Sequence, residues 1–315
     1  MRQSLGEVAI VGTGLVGCGW SVAYALGGAS VRLYDREPGA AEAAFARIGT
    51  MLADMQRAGL ADHTDAALKR VRVAQTLADA LNGVDYVQES VFERVDVKVE
   101  VAKQIGALIS DDTVVGSSSS GLPASSFTEN APKRERFLIA HPVNPPHLVP
   151  VVELVPTPWT DPQIVPWLRE RLTEIGKVPV EVRREIDGFI LNRLQGALLN
   201  EAWGLYEEGY ASAADIDATV SQGLGLRWSF MGPFETIDLN APGGVADYAS
   251  RLAPLYHRIA VSRTERKEWS PELVAKIAAE RRAALPLEDI PARSQWRDRR
   301  LMQLVAHRRA QEKKD

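Results

Sequence analysis

A G-x-G-x-x-G motif follows a short apolar run, residues 8–11, near the beginning of the chain. The motif consists of Gly12, Thr13, Gly14, Leu15, Val16 and Gly17. The apolar run predicts a buried strand and residues 15–26 predict a helix, so the motif forms the turn between them. Gly12 permits a tight turn, Gly14 lets a pyrophosphate approach the backbone, and Gly17 allows close helix–strand packing. We therefore predict that the N–H groups at the start of the helix bind the phosphates of a dinucleotide.

A second apolar run, residues 31–34, ends at Asp35, which lies 18 positions after Gly17. A carboxylate at the end of the second strand accepts hydrogen bonds from the ribose hydroxyls of NAD and repels the 2′-phosphate of NADP. The sequence therefore predicts NAD as the cofactor, whereas Arg36, the next residue, leaves some use of NADP open.

The first half of the chain alternates short apolar runs with longer helical patterns. Further strands are predicted at residues 71–74, 85–88, 113–115, 137–140 and 178–182, and further helices at residues 37–58 and 95–108. Alternation of this kind is typical of a doubly wound parallel sheet with helices on both faces. We therefore predict a Rossmann-type α/β fold.

After the last predicted strand the alternation stops. Helices are predicted at residues 190–207, 213–222, 271–284 and 293–310, and prolines interrupt the chain between the second and third of them. These prolines are Pro233, Pro242 and Pro254. We predict two domains, an NAD-binding domain at residues 1–186 and an all-α substrate and dimerisation domain at residues 187–315. The charged segment from Pro271 onward either wraps a partner or stays a solvated helix.

Composition excludes several other classes of protein. The 315 residues are 45% hydrophobic, and the single cysteine, Cys18, excludes a disulfide scaffold and indicates a reducing, cytoplasmic location. The net charge of 37 − 41 = −4 does not favour nucleic-acid or membrane-surface binding. Residues 8–31 are uncharged and long enough to cross a bilayer, but their glycines favour a strand, turn and helix instead. No Cys/His cluster has metal-ligand spacing, so we predict no metal.

His141 follows the predicted strand 137–140, at the end of the strand where open α/β sheets bind ligands. Imidazole is suited to remove a hydroxyl proton while a hydride passes to NAD. Glu153 lies in the apolar run 149–155, where a carboxylate needs a partner, and His141 would supply one. On these residues alone, a structural role for His141 remains an alternative.

Two features near His141 also allow either a functional or a structural interpretation. His147 lies close to His141 and either lines the same cleft or is structural. The serine run 117–120 follows a predicted strand and is either a polar loop or a source of hydroxyls for the substrate and nicotinamide.

Several motifs resemble those of one family. They are the serine run 117–120, His-x-x-Asn-Pro at 141–145, the downstream Glu153, Gly-Phe-x-x-Asn-Arg at 188–193, and Met-Gly-Pro-Phe-Glu at 231–235. Together they resemble the 3-hydroxyacyl-CoA dehydrogenase superfamily over nearly the whole chain. The segment His-Pro-Val-Asn-Pro-Pro at 141–146 is more similar to the lambda-crystallin / L-gulonate 3-dehydrogenase branch.

The resemblance implies a role for each matching residue. His141 would be the general base and Glu153 its partner, with Ser120 and Asn192 bonded to the reacting oxygen and Asn144 among the substrate-binding residues. The glycines of the motif would hold the pyrophosphate and Asp35 the ribose. Glu93 and Lys98 match positions that contact NAD, although a solvated helix start would also explain them. The resemblance further implies a homodimer.

Arg227 lies in a segment between a Gly-x-Gly and Met231 that is longer and more charged than in the acyl-CoA enzymes. An arginine there would bind a free carboxylate, which a thioester lacks, unless it is a surface residue paired with an acid. We therefore predict NAD-dependent oxidation of the 3-hydroxyl of a free, L-gulonate-like hydroxy acid. The alternatives are a 3-hydroxyacyl-CoA, or carnitine, whose quaternary ammonium needs an aromatic or acidic pocket. Trp203, Tyr206 and Trp228 would supply aromatic rings, although a place in the core or at an interface explains them more simply. A non-enzymatic, crystallin-like role is disfavoured because the site residues are retained.

Overall fold

The computed structural model describes residues 5–263 and 268–312. Eight strands form one sheet in the order β3-β2-β1-β4-β5-β6-β7-β8. The strands are β1 Glu7–Val11, β2 Ser30–Tyr34, β3 Val71–Val73, β4 Tyr86–Glu89, β5 Val114–Ser117, β6 Phe137–Pro142, β7 Val151–Pro156 and β8 Val178–Glu181. The order reverses at β1, which lies between β2 and β4 and is the topological switch point of the sheet.

The sheet is mostly parallel rather than wholly parallel, which corrects the prediction. Strands β1 to β6 run in one direction, whereas β7 pairs antiparallel with β6 and β8 follows the direction of β7. The carboxyl ends of β1, β4, β5 and β6 therefore meet at one edge of the sheet. The amino end of β7 comes to the same edge.

Helices cover both faces of the sheet. They are α1 Leu15–Leu26, α2 Ala40–Arg57, α3 Thr64–Leu68, α4 Leu77–Leu81, α5 Val95–Leu108, α6 Ser125–Thr128 and α7 Ile164–Glu174, with a 3₁₀ turn at Arg134–Arg136. Successive side chains of β1 point to opposite faces, so Val8 and Ile10 join the core beneath α1 and α2, whereas Ala9 and Val11 join the core beneath α5. The predicted Rossmann-type α/β fold is confirmed.

The remainder of the described chain is helical, as predicted. The helices are α8 Leu191–Glu207, α9 Ala213–Ala218, α10 Gly225–Trp228, α11 Pro233–Asp238, α12 Gly244–Ser262, α13 Pro271–Ala284 and α14 Ile290–Glu312. A π-helical turn spans Thr219–Leu224 and a 3₁₀ turn spans Leu287–Asp289. Helix α12 was not predicted, because it contains Pro254.

The chain divides by packing into two compact units. One holds the chain up to Arg193 and from Arg293 onward, and the other holds Leu194–Ala292. This division falls in the first turn of α8, and the domain boundary at residues 186/187 stays a prediction.

Helix α14 belongs largely to the first unit, whereas the sequence left a partner contact or a solvated helix open. Met302 of α14 is buried in the core beneath α1 and α2, and Arg309 Nη1 donates to the Leu60 carbonyl at 2.9 Å. Among the described residues, no helix combines the length and apolar character that crossing a bilayer requires. The cytoplasmic location stays a prediction.

Candidate active site

Two of the three glycines of the motif are required by close contacts within the protein, and the third faces open space. Gly12 has φ +94°, and a Cβ there would lie 2.6 Å from the Ser90 carbonyl carbon. A Cβ on Gly17 would lie 2.1 Å from the Gly12 carbonyl oxygen. A Cβ on Gly14 would meet nothing within 4 Å, so the space in front of the helix start is open.

The start of α1 fits a pyrophosphate. Gly14 caps the helix without a side-chain hydrogen bond, and no acidic residue lies in the first turn. The first amide N–H groups of the helix have no partner within it and carry the positive end of its dipole. The backbone at Thr13, Leu15 and Val16 thus borders an open, electropositive turn, with the Leu15 side chain 70% exposed.

Asp35 closes the other side of this turn. Its Oδ2 accepts hydrogen bonds from Thr13 N at 2.8 Å and Thr13 Oγ1 at 2.9 Å, and its Oδ1 accepts from Glu37 N at 3.1 Å. The half-buried carboxylate lies at the end of β2, where a dinucleotide ribose binds in folds of this type. These residues therefore fit NAD.

His141 and Glu153 form a buried pair at the same edge of the sheet. They oppose each other in the β6–β7 ladder, and His141 Nδ1 lies 2.8 Å from Glu153 Oε2. Burial raises the pKa of Glu153, but the hydrogen bonds from His141 and from two backbone amides outweigh it and lower that pKa below its ordinary value. An ionised Glu153 accepts the Nδ1 proton, which leaves His141 Nε2 with its lone pair.

The other oxygen of Glu153 holds the start of helix α8. Oε1 accepts hydrogen bonds from Ile190 N at 2.8 Å and Leu191 N at 2.9 Å. The next residue, Asn192, donates from Nδ2 to the Ser120 carbonyl at 2.5 Å. Two predicted site residues, Asn192 and Ser120, are thus in direct contact, and Glu153 positions the helix turn that carries one of them.

Glu93 organises the serine turn. Its Oε1 accepts hydrogen bonds from Ser119 Oγ and Ser120 N, both at 2.8 Å, and from Gly121 N at 3.1 Å. Burial raises the pKa of Glu93, but the Ser119 hydroxyl and the charge of Lys98 prevail and lower it. Glu93 is therefore ionised at neutral pH and fixes the backbone at Ser120.

Lys98 is not part of a solvated helix start, because it is 1% exposed. Its Nζ donates to both oxygens of Glu89, at 2.9 and 3.0 Å, and lies 3.6 Å from Glu93 Oε2. Glu89 also accepts hydrogen bonds from Ser117 Oγ and from Val91 N. A buried ion pair thus lies beneath the serine turn.

Other predicted residues are not joined to this network. Asn144 is exposed on the loop after β6, and its side chain makes no hydrogen bond within residues 5–263 and 268–312. Arg227 is exposed on α10 in the second unit, and no carboxylate of the described residues lies within 4.0 Å of its guanidinium. His147 lines a separate cavity with Lys177 rather than the site of His141.

Two contributors were missed from the sequence. Glu89 ends the apolar strand β4, and a carboxylate in that position, like Glu153, signals a buried partner. Phe189 has φ +49° and packs its ring 5.9 Å from that of His141. Phe189 belongs to the Gly-Phe-x-x-Asn-Arg motif at 188–193, but nothing in that motif signals its contact with His141.

Two family models match the chain. One, described as "3-hydroxyacyl-CoA dehydrogenase, NAD binding domain", matches residues 7–186. The other, described as "3-hydroxyacyl-CoA dehydrogenase, C-terminal domain", matches residues 188–283. Together they span both the sheet and most of the helical half.

Individual relatives agree with these matches. Lambda-crystallin of the rabbit, Oryctolagus cuniculus, is 39% identical over 309 residues, covering 96% of this chain and 97% of that protein. An L-carnitine dehydrogenase of Pseudomonas putida is 36% identical over 247 residues, covering 78% and 76%. The solved structure of a 5-formyl-3-hydroxy-2-methylpyridine 4-carboxylic acid 5-dehydrogenase, an NAD⁺-dependent dismutase, superposes with a TM-score of 0.82 at 30% identity and covers 99% of both chains.

Proposed function

The chain belongs to the 3-hydroxyacyl-CoA dehydrogenase family and is an NAD-dependent oxidoreductase acting on a CH–OH group; we propose that its substrate is a free 3-hydroxy acid. The family models and the lambda-crystallin relatives confirm the predicted resemblance and NAD as the cofactor. The observation that supports the proposed chemistry is the buried His141–Glu153 pair, at the sheet edge that also carries the glycine motif.

In the proposed mechanism, His141 Nε2 accepts the proton of the substrate 3-hydroxyl. Glu153 holds the Nδ1 proton and stabilises the imidazolium that forms. NAD, when bound, supplies the acceptor for the hydride from C3. The amides at the start of α1 would hold its pyrophosphate, and Asp35 would hold its ribose.

Ser120 and Asn192 are proposed to donate hydrogen bonds to the reacting oxygen. The Ser120 hydroxyl is exposed and donates to Glu93 Oε1 at 3.3 Å. The Ser120 backbone is held on one side by Glu93 and on the other by the Asn192 amide. The Asn192 amide keeps a second N–H for the substrate, and the Ser120 hydroxyl would rotate from Glu93 toward the reacting oxygen, while the backbone that carries both groups is already in place. Glu93 and Lys98 are proposed to act through this turn, by positioning Ser120 beside the nicotinamide.

A free carboxylate is proposed because Arg227 has no acidic partner among the described residues. An arginine fork matches a carboxylate in two parallel hydrogen bonds. The structural relative with a TM-score of 0.82 is itself named for a substrate that is a carboxylic acid. L-gulonate is the proposed type of substrate, and Asn144 a proposed contact to it.

Two other substrates follow from the relatives. A 3-hydroxyacyl-CoA is the substrate for which the family is named, and carnitine is that of the Pseudomonas relative. Carnitine is less favoured because two of the aromatic residues that would bind its ammonium are engaged. Trp203 stacks on Trp269 at 4.4 Å, and the Tyr206 hydroxyl donates to Glu280.

The enzyme is proposed to be a homodimer. Helices α8 and α12 contain 17 and 19 residues, and neither buries a single one. Large apolar side chains elsewhere in the second unit are also exposed, such as Phe230 at 66% and Phe234 at 78%. Exposed apolar area on this scale marks an interaction surface, and a second copy of the chain would cover it.

The substrate is tested by following NADH formation with L-gulonate, 3-hydroxybutyrate, L-carnitine and 3-hydroxybutyryl-CoA. We expect the highest kcat/KM with a free acid that carries no quaternary ammonium. Turnover of the CoA thioester alone would reject the free-acid proposal and leave the family assignment intact. The dimer is tested by sedimentation velocity: Leu194→Glu on α8 should give monomers, whereas Leu108→Glu on α5 should not.

A further inference from the structure

A cavity of about 450 Å³ lies at the end of helix α1 away from the glycine motif. Ala23, Leu26 and Gly27 at that end of α1 line it, so about 12 Å of helix separates it from the pyrophosphate turn. The cavity lies wholly within the first unit, and none of the site residues described above lines it. Its volume is in the range of small-molecule sites, roughly 300–1,000 Å³.

Lys177 is the main polar group of the cavity. The residue is 7% exposed, and no carboxylate among the described residues lies within 4.0 Å of its Nζ. The Nζ donates to the Pro146 carbonyl and lies 5.6 Å from the centre of the Trp20 ring. Burial, reinforced by the positive charge of Arg309, lowers the pKa of Lys177 to about 8. An ammonium with neutral partners alone is costly to bury, and an anion beside it would offset that cost.

The other polar groups of the cavity also suit an anion. Arg309 and Arg308 of α14 both line it, and the Nδ1 of His147 is buried without a hydrogen-bond partner among the described residues. Burial lowers the pKa of His147 to about 4, so the ring is neutral at pH 7 and has one N–H to donate. Two carboxylates line the cavity as well. They are the carboxylates of Asp62 and Glu174, and both residues are exposed. Glu174 is also paired with Arg171 at 3.0 Å.

The rest of the lining is largely apolar. It includes Leu26, Met55, Leu60, Leu148, Ile175 and Val305. A small inorganic anion would leave these walls in contact with water, whereas an organic anion would cover them and remove apolar surface from water.

We propose that this cavity binds a small organic carboxylate with an apolar body, whose charged group lies beside Lys177 and Arg309 and whose body contacts the apolar walls. The site is independent of the proposed substrate. It is joined to the catalytic loop, because Lys177 holds the carbonyl of Pro146, five positions after His141. Occupancy would therefore also stabilise the loop that follows β6.

Octanoate is the probe, and its binding to the full-length protein is measured by isothermal titration calorimetry. We expect octanoate to bind, octanol and inorganic phosphate to bind at least tenfold more weakly, and Lys177→Met to weaken octanoate at least tenfold. Lys133→Met is the matched control, since Lys133 is paired with Asp111 and does not line the cavity. This control should bind octanoate like the unmodified protein.

Four results would overturn the proposal. The first is that octanoate does not bind at millimolar concentration, and the second is that phosphate binds as tightly as octanoate. The third is that Lys177→Met binds octanoate as tightly as the unmodified protein. The fourth is that Asn192→Ala loses octanoate binding whereas Lys177→Met retains it. The last result would place octanoate at the candidate active site. Should Lys177→Met fail to fold, Arg309→Met takes its place: at least threefold weaker octanoate binding supports the proposal, and unchanged binding overturns it.

Discussion

Glu153 Oε2 lies 2.8 Å from His141 Nδ1 across the antiparallel β6–β7 pair, while Glu153 Oε1 accepts the backbone amides of Ile190 and Leu191. One buried carboxylate therefore connects the proposed base to the helix start that carries Asn192. Because both oxygens are occupied, the carboxylate cannot rotate without breaking hydrogen bonds at one end. The orientation of the imidazole and the position of the helix start depend on the same group.

Replacing this carboxylate by an amide should remove most of the activity. In Glu153→Gln the amide oxygen still accepts from Ile190 and Leu191, but the NH₂ group faces Nδ1 and forces the proton onto Nε2. His141 then cannot accept the substrate proton, so we expect kcat to fall by roughly 10³- to 10⁴-fold with KM for NAD unchanged. Steady-state kinetics measure this.

Glu185→Gln is the matched control, since Glu185 also accepts a backbone amide, that of Ser125 at 2.8 Å, without touching a histidine. It should retain its kcat. Equal activity of Glu153→Gln and the unmodified protein would reject His141 as the base.

The same carboxylate should make folding stability depend on acid pH. Its hydrogen bonds from His141, Leu191 and Ile190 outweigh burial and hold the folded-state pKa below the ordinary 4.5. Glu153 therefore contributes stability above pH 4.5, and this contribution is lost as the pH falls through the lower folded pKa.

The contribution of the Glu153 carboxylate to stability is measured by urea unfolding of the unmodified protein and of Glu153→Gln, both at the same fixed protein concentration. The difference in free energy of unfolding between the two proteins should shrink as the pH falls from about 5 toward 3. A difference that stays constant throughout would contradict the lowered pKa.

Patterns of local sequence predicted the first half of the fold well. Helix α1, Leu15–Leu26, and helix α5, Val95–Leu108, have the predicted bounds, because each fills the interval between two apolar strands and contains no proline. The antiparallel direction of β7 was not predictable in this way, since strand direction depends on how residues 143–150 turn. The pairing of His141 with Glu153 was nevertheless expected, because a carboxylate in an apolar run needs a partner.

Residues that act through long-range contacts were harder to predict. The burial of Lys98 follows from Glu89, nine positions away on another element, and no periodicity in α5 signals it. Helix α12 tolerates Pro254 in its interior, where the proline pattern predicts a break. The cavity that His147 lines is formed together with residues of α7 and α14, and these helices come close to His147 only when the chain is folded.

Removing the buried ammonium of Lys98 should destabilise the protein strongly. Lys98→Met leaves the buried Glu89 side chain without its cation, a loss of about 3–5 kcal/mol. The double variant Lys98→Met/Glu89→Gln should recover part of that loss, because no charge is then left buried alone. Thermal and urea unfolding measure both variants, with Lys103→Met on the exposed side of α5 as the control. If Lys98→Met left the free energy of unfolding unchanged, the ion pair would contribute no net stability.

Asp35 should decide the choice between NAD and NADP. Asp35→Ala removes the proposed ribose acceptor, the repulsion of a 2′-phosphate and the hydrogen bonds to Thr13. We expect KM for NAD to rise roughly tenfold, and the ratio of kcat/KM for NAD to that for NADP to fall by at least as much. Asp54→Ala, which replaces an aspartate on α2 that is paired with Arg57, should change neither value. An unchanged ratio in Asp35→Ala would exclude Asp35 as the specificity residue.

Arg227 should determine KM for a free acid and leave a thioester unaffected. Arg227→Met removes a proposed charged pair with the substrate carboxylate, so KM for the preferred free acid should rise roughly 10- to 100-fold with little change in kcat. The kinetics with 3-hydroxybutyryl-CoA should not change, because that substrate carries no carboxylate at its reacting end. Arg251→Met, whose arginine is paired with Asp247 on α12, is the control and should behave like the unmodified enzyme. If Arg227→Met left KM for the acid unchanged, Arg227 would not belong to the substrate site. The free-acid proposal would then depend only on which substrates the enzyme turns over.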